Sequence, residues 1–354
     1  MSTHIRTALV SLLAIALLAW FLRHANLADV WTQVRTVRLD LLAIGVALVG
    51  VTYWARVFRW RQLLAPIGPT RLRNVFRATV IGFAALSILP ARAGDILRPY
   101  LLAKQEGLSA PATFATVVLE RVLDLVAVVV LLAVFVWDFA NSSTLPPRLL
   151  RPVIISAAIA TGVAIALMVV MWILASHPER VGRIVYASAR VLPHRIADRL
   201  AQFATRFSGG FAAARTPANL VMALVWSFPV WLTIAAQAWV VTRAFGIEMP
   251  FTGSFLLQSL LVIGVAVPTP GGIGSFHEAY RFGVTTFFHA SNDRAVAAAI
   301  VVHALSFIPV VLVGIVFMAQ DGLSVHRLKE LAGEARQQEL QHTDEVPILR
   351  TPGR

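Results

Sequence analysis

Pro268-Thr269-Pro270-Gly271-Gly272-Ile273-Gly274 interrupts an apolar stretch, and His277, Glu278 and Arg281 follow at once. A continuous helix tolerates neither the two prolines nor the clustered glycines, because each proline removes a backbone donor and clashes one turn back. In hydrocarbon such a break persists only where protein buries it or where it borders a wet cavity. A second break, Pro90-Ala91-Arg92-Ala93-Gly94-Asp95, also ends an apolar run and leads to Arg98. Two broken, charged segments at corresponding places of one chain point to a polar site at membrane depth.

The sequence around them is that of a membrane protein. Its 354 residues are 58% hydrophobic and only 14% charged, with a mean hydropathy of +0.73. Soluble domains carry about 25% charged residues, so the composition predicts a polytopic membrane protein. The segment 8–22 lacks a small-x-small cleavage site before Arg23 and is expected to stay as a first span. Cysteine is absent, which excludes disulfides and thiolate chemistry. The net charge of +13 is almost all arginine. In a polytopic chain that charge belongs to cytoplasmic loops facing anionic head groups, so no nucleic-acid partner is expected.

Apolar runs cover 8–22, 41–58, 75–89, 112–137, 153–175, 220–241, 251–267 and 295–319. Most approach the ~20 residues that a helix needs to span. The runs 75–89 and 251–267 are short, end at the two breaks, and lead into stretches too charged to cross lipid alone. The expected fold is therefore an all-α polytopic membrane protein with six full spans and two re-entrant helical hairpins. Arginines crowd the segments 59–77 and 176–218 and recur in the tail, which predicts both termini in the cytoplasm of a cell-membrane protein. The unit 41–137 then recurs as 220–319 with opposite orientation, an inverted repeat within one transmembrane domain, 1–320. The segment 176–218 interleaves arginine with apolar residues, as amphipathic helices on the inner leaflet do, and 321–354 is a polar cytoplasmic tail.

Candidate chemistry follows from the breaks. Turns at Gly94 and at Gly271, Gly272 and Gly274 leave backbone N–H groups for an anion such as a lipid phosphate, and Arg92 and Arg98 add charged donors. Asp95 stands beside them. His277, Glu278 and Arg281 have the spacing of a paired cluster on one helix face. His277-Glu278-x-x-Arg281 begins like a zinc motif but lacks its second histidine, so no metal is expected, and no cofactor. Glu120, Arg121 and Asp124 lie in an apolar run, where ionisable groups are costly and mark function, and Arg121 is spaced to pair with Asp124. His303 holds the corresponding place in the last run, with Ser306 nearby, and is a candidate for proton coupling. Arg56, Arg59 and Arg61 beside Trp54 and Trp60 are expected mainly to anchor a helix end at the interface.

At these residues the chain resembles the lysylphosphatidylglycerol synthase transmembrane-region family, also called flippase-like membrane proteins. The resemblance rests on Arg59-Trp60-Arg61, the Arg-x-Gly-acid-x-x-Arg-Pro run ending at Pro99, Glu120-Arg121-x-x-Asp124, and Pro268-x-Pro-Gly-Gly-x-Gly274 with Glu278. Asp95 departs from the glutamate expected there. The resemblance implies lipid handling. Its best-understood members move an aminoacylated phospholipid between leaflets, and relatives attend hopanoid or polyprenol-linked sugar pathways. A large soluble aminoacyl-transferase domain, present in the synthase proper, is not seen after this membrane region, so lysine transfer by this chain alone is not expected. The expected function is lipid translocation, with membrane lipids as partners. No GxxxxGK[ST] nucleotide motif occurs in the chain, which favours a passive or ion-coupled carrier. Two alternatives are a membrane-embedded transferase acting on a lipid-linked substrate and a non-catalytic scaffold for a separate lipid-modifying enzyme.

Overall fold

The computed structural model describes residues 3–23, 25–89, 93–142, 147–189, 193–267 and 269–322. Arg92, Pro268 and most of the polar tail lie outside the described residues. The described chain is helical and contains no strand. Its helices are α1 (Thr3–Leu22), α2 (Leu27–Arg35), α3 (Leu39–Leu64), α4 (Leu72–Ile88), α5 (Gly94–Glu106), α6 (Ala110–Ser142), α7 (Pro147–Ser176), α8 (Pro178–Ser188), α9 (His194–Gly210), α10 (Ala212–Arg215), α11 (Pro217–Ala244), α12 (Gly253–Ala266), α13 (Ser275–Phe288) and α14 (Asn292–Gln320). Among the described residues, α3, α6, α7, α11 and α14 are long and apolar enough to cross a membrane. The end of α1 and α2 form a bent pair, at 83°, that makes a sixth candidate. The chain is thus a multi-pass membrane protein. Six full spans and two re-entrant segments were expected, and length and composition support five spans, or six with the bent pair.

The helices flanking each break pack on one another as hairpins. In α4–α5, Gly94 lies so close to α4 that a Cβ there would overlap the Gly82 carbonyl oxygen. Gly82 in turn faces Arg98, and Asn74 donates to Glu106 at the open end, so the helices run antiparallel. In α12–α13, Gly264 packs on Ser275 and Ala279 while Gly253 packs on Phe288. Small residues at these crossings let backbones approach, the usual means of helix association in lipid. The tip of the second hairpin holds Gly271, Gly272 and Gly274 at φ of +60°, +71° and +86°. A side chain at Gly274 would also meet Leu17 of α1, so glycine is required there on two counts.

The long helices pair in an ordered way. Helix α3 packs on α11 with Gly45 against Val241, Thr52 bonded to Thr233 at 2.8 Å, and Phe58 stacked on Trp226. Numbers rise along one helix as they fall along the other, so the pair is antiparallel. Helix α4 lies on α14, with Arg77 bonded to Asp321 at 2.6 Å and Ala84 beside Gly314. Helix α12 lies on α6, with Thr252 donating to Asp138 at 2.6 Å. Helices α8 and α9 pack together where Gly182 meets Thr205, and α9 ends against α6, where Gly210 touches Ala112. The open end of the α4–α5 hairpin is joined to α3 and α6 on this same face of the bundle, whereas α12–α13 opens on the opposite face, beside the start of α14. One apolar core joins α11 to α14 with α1 and α2, and another joins α3, α4, α6 and α7.

Candidate functional site

A buried ionic cluster ties α3, α5, α6 and α11 together. Glu120 and Asp124, one turn apart on α6, both face Arg59 of α3, at 2.7 Å and 2.5 Å. Neither Arg59 nor Glu120 has exposed surface. Arg98 reaches Glu120 at 3.1 Å, and its guanidinium lies 3.8 Å from the centre of the Trp60 indole. Trp60 is held by its own bond to Thr116. Arg121 bridges Asp95 at 2.7 Å and Asp124 at 3.4 Å. Helix α11 adds the Trp231 indole N–H, which donates to Asp124 at 2.8 Å, and Ser227, which accepts from Arg59. Charges removed from water need such pairing, since isolated burial of either sign is prohibitive.

Beside this cluster lies a chamber of about 380 Å³. Its wall draws on α3, α4 and α6 and on α11, α12, α13 and α14, with Arg121 and Asp124 at its polar edge. Phe83, Phe276 and Phe307 supply aromatic surface, and Thr52, Ser87 and Ser306 supply hydroxyls. Three further polar side chains line it: Arg56, Gln237 and Gln258. Arg56 lies over the Phe83 ring at 4.8 Å and leaves its Nη1 without a hydrogen-bond partner among the described residues.

The glycine-rich tip sits between the halves. Its Gly271 carbonyl is 2.8 Å from the His303 imidazole Nε2, and its Gly272 and Gly274 N–H groups are engaged inside the turn, by Thr269 and by His277 Nδ1. The carbonyl end of α4, at Ser87, packs against Gly271, so the first hairpin touches the second. His277 and His303 lie with ring centres 4.5 Å apart and planes tilted by 35°, flanked by Phe21, Phe276 and Phe307.

The sequence-derived candidates therefore fall into three places. Asp95, Arg98, Glu120, Arg121 and Asp124 come together in the ionic cluster. His277 and His303 meet at the tip of the second hairpin, together with Gly271, Gly272 and Gly274. Glu278 and Arg281 form a bidentate pair, at 2.5 Å and 2.9 Å, which also reaches Asn292, and His277 turns away from it. Gly94 closes the first hairpin. The expected Arg121–Asp124 pair exists, but Arg121 is closer to Asp95.

Three expectations are corrected: the Gly272 and Gly274 N–H groups are taken up inside the turn rather than left for an anion, His277 stands with His303 and apart from the Glu278–Arg281 pair, and the arginine–tryptophan group of α3 does not serve mainly as an anchor. Arg59 and Trp60 do not anchor a helix end at the interface: both are fully buried, and Arg59 is the hub of the ionic cluster. Of that group, Trp54 and Arg61 remain exposed. Two acids on α6 need more positive charge than Arg121 brings, and Arg56 and Arg59, spaced i,i+3, were the available signal. Gln237 and Gln258 carried no signal, since a lone glutamine in an apolar run is silent about which way it faces.

Three comparisons bear on this arrangement. The family model described as the lysylphosphatidylglycerol synthase TM region matches residues 7–314. A protein of Haloferax volcanii named glycosyltransferase AglD is 24% identical over 95% of this chain, and the chain spans 57% of that relative's length. A protein of Methanothermobacter thermautotrophicus named UPF0104 membrane protein is also 24% identical, over 88% of this chain and 92% of its own length.

Proposed function

The chain belongs to the lysylphosphatidylglycerol synthase transmembrane-region family, and from that premise we propose that it moves a lipid between membrane leaflets. The observation that carries the reading is the chamber, walled by both hairpin-bearing halves and edged by the buried cluster around Glu120 and Asp124. A phospholipid, hopanoid or polyprenyl-linked lipid places its polar head group there while its tails stay in the bilayer. Arg98 and Arg121 hold the cluster acids, Arg56 faces the phosphate, and the paired imidazoles of His277 and His303 are candidates for proton coupling.

The helix arrangement supports an inverted repeat in which α3 to α6 correspond to α11 to α14. The antiparallel α3–α11 pair then lies on the axis, and the packing of α4 on α14 mirrors that of α12 on α6. Hairpins inserted from opposite faces give the head-group chamber one movable wall toward each leaflet, an arrangement suited to alternating access. The arginines of α8, α9 and the 59–77 segment favour a cytoplasmic side for their shared face, with the amphipathic α8–α9 pair on the inner leaflet.

Purified protein in liposomes, with fluorescent lipids followed by chemical quenching of the outer leaflet, tests the reading. Accelerated inter-leaflet movement of at least one lipid is expected. No acceleration across phospholipid, hopanoid and polyprenyl-phosphate probes sinks it. The name of the Haloferax volcanii relative, a glycosyltransferase, favours a second reading, a transferase acting on a lipid-linked substrate. Product formation by the purified chain from a sugar donor would replace the first reading with the second.

A further inference from the structure

The chamber wall contains buried polar atoms that have no hydrogen-bond partner among the described residues. Gln258 is 1% exposed, and neither its amide oxygen nor its nitrogen has a partner among the described residues. Gln237 is 4% exposed, and its nitrogen is likewise unpartnered, although its oxygen accepts from Ser306 at 3.5 Å. Arg56, 9% exposed, leaves Nη1 unpartnered. All three line the same chamber, from α12, α11 and α3. Buried amides and guanidiniums are almost always hydrogen-bonded, so a group of orphans around one chamber marks where a ligand or water bonds.

The charge at the site is as informative. Arg59, Arg98 and Arg121 balance the three carboxylates Asp95, Glu120 and Asp124, and Arg56, which has no ion pair among the described residues, adds one further positive charge. Asp124 is already shared by Arg59, Arg121 and Trp231, and Glu120 by Arg59 and Arg98. Arg56 is the guanidinium that faces the chamber with no carboxylate bonded to it among the described residues.

Resting on the lipid-carrier reading above, we infer that the chamber selects a lipid whose head group joins a phosphate to a neutral, hydroxyl-rich group, a polyol or a sugar. Arg56 takes the phosphate charge. The amides of Gln237 and Gln258, each donor and acceptor, match hydroxyls that are also both. An aminoacyl head group brings an ammonium, but the carboxylate that lines the chamber among the described residues, Asp124, is already held by Arg59, Arg121 and Trp231, so the ammonium meets Arg56, a like charge that disfavours it. Gln237 and Gln258 are then specificity-determining residues, contributed to the chamber wall by α11 and α12.

The test uses phosphatidylcholine vesicles holding the protein and traces of NBD-labelled phosphatidylinositol, phosphatidylglycerol, phosphatidylcholine or lysylphosphatidylglycerol. The inositol and glycerol lipids are expected to cross about tenfold faster than the lysyl lipid, the factor that one net hydrogen bond supplies. Gln258→Leu removes an orphan amide at nearly constant volume, so the variant folds, and it abolishes the preference for the inositol lipid. Arg56→Gln slows both anionic lipids. Passage of the lysyl lipid as fast as the inositol lipid, or unchanged selectivity in Gln258→Leu, overturns the inference. Thermal stabilisation in detergent by dioctanoyl-phosphatidylinositol separates the two readings. Stabilisation of the parent but not of Gln258→Leu, with no transport, removes the carrier reading and keeps the selectivity. If neither stabilisation nor transport occurs, both readings fall.

Discussion

Arg59 holds Glu120 and Asp124 at once, with no exposed surface of its own, and is the one guanidinium that both buried carboxylates share. Breaking a buried pair by removing one partner costs about 3–5 kcal/mol, because an uncompensated charge remains. Arg59→Ala is therefore expected to lose that much, seen as a lower thermal midpoint in detergent. Combining Arg59→Met with Asp124→Asn should recover most of the loss, since it removes one charge of each sign and leaves Glu120 paired with Arg98 and Arg121 with Asp95. An Arg59→Ala protein as stable as the parent would contradict the hub. At this scale the acids of α6 were legible, because ionisable residues in an apolar run stand out whatever their surroundings. Their partner was not. Arg59 looks like any arginine near the end of a span, and only the rotation of α3 against α6 turns it inward.

The hairpins owe their shape to glycine at the crossing points. A Cβ at Gly94 would overlap the Gly82 carbonyl oxygen and the Leu86 backbone nitrogen, neither of which is a flexible side chain. Gly94→Ala is expected to destabilise by about 1–3 kcal/mol, the scale of overpacking. Gly162 lies in α7, and a methyl group there would have nothing within 4 Å. Gly162→Ala is expected to be neutral or stabilising by up to about 1 kcal/mol, since alanine is the better helix former. Unfolding midpoints of the two variants, measured side by side, check the contrast, and equal effects would show that the crossing is loose. Both breaks were visible in the sequence, because proline and glycine act on the backbone locally. The use of Gly82 and Gly264 was not, because a glycine inside a helix gives no sign of what crosses it.

At the centre of the molecule α3 and α11 pack antiparallel, and the two hairpins open on opposite faces of the bundle. The absence of cysteine makes its topology directly testable. Ser188, exposed on α8, and Thr36, exposed beyond α2, lie on opposite faces. In intact cells a membrane-impermeant maleimide is expected to label Thr36→Cys, and to label Ser188→Cys only after lysis. The reverse pattern would invert the proposed orientation. Composition and hydropathy by themselves determined the membrane class, the long spans and the two interruptions, and the motifs determined the family. Each of these is a property of a short window of sequence, set by transfer of apolar side chains out of water and by the backbone limits of proline and glycine. Only the tertiary structure decided that Arg59 and not Arg121 is the hub, that His277 meets His303 rather than Arg281, and that Gln237 and Gln258 share one chamber with Arg56. Those pairings depend on how each helix is rotated against neighbours far away in sequence, and periodicity along one helix does not specify that rotation.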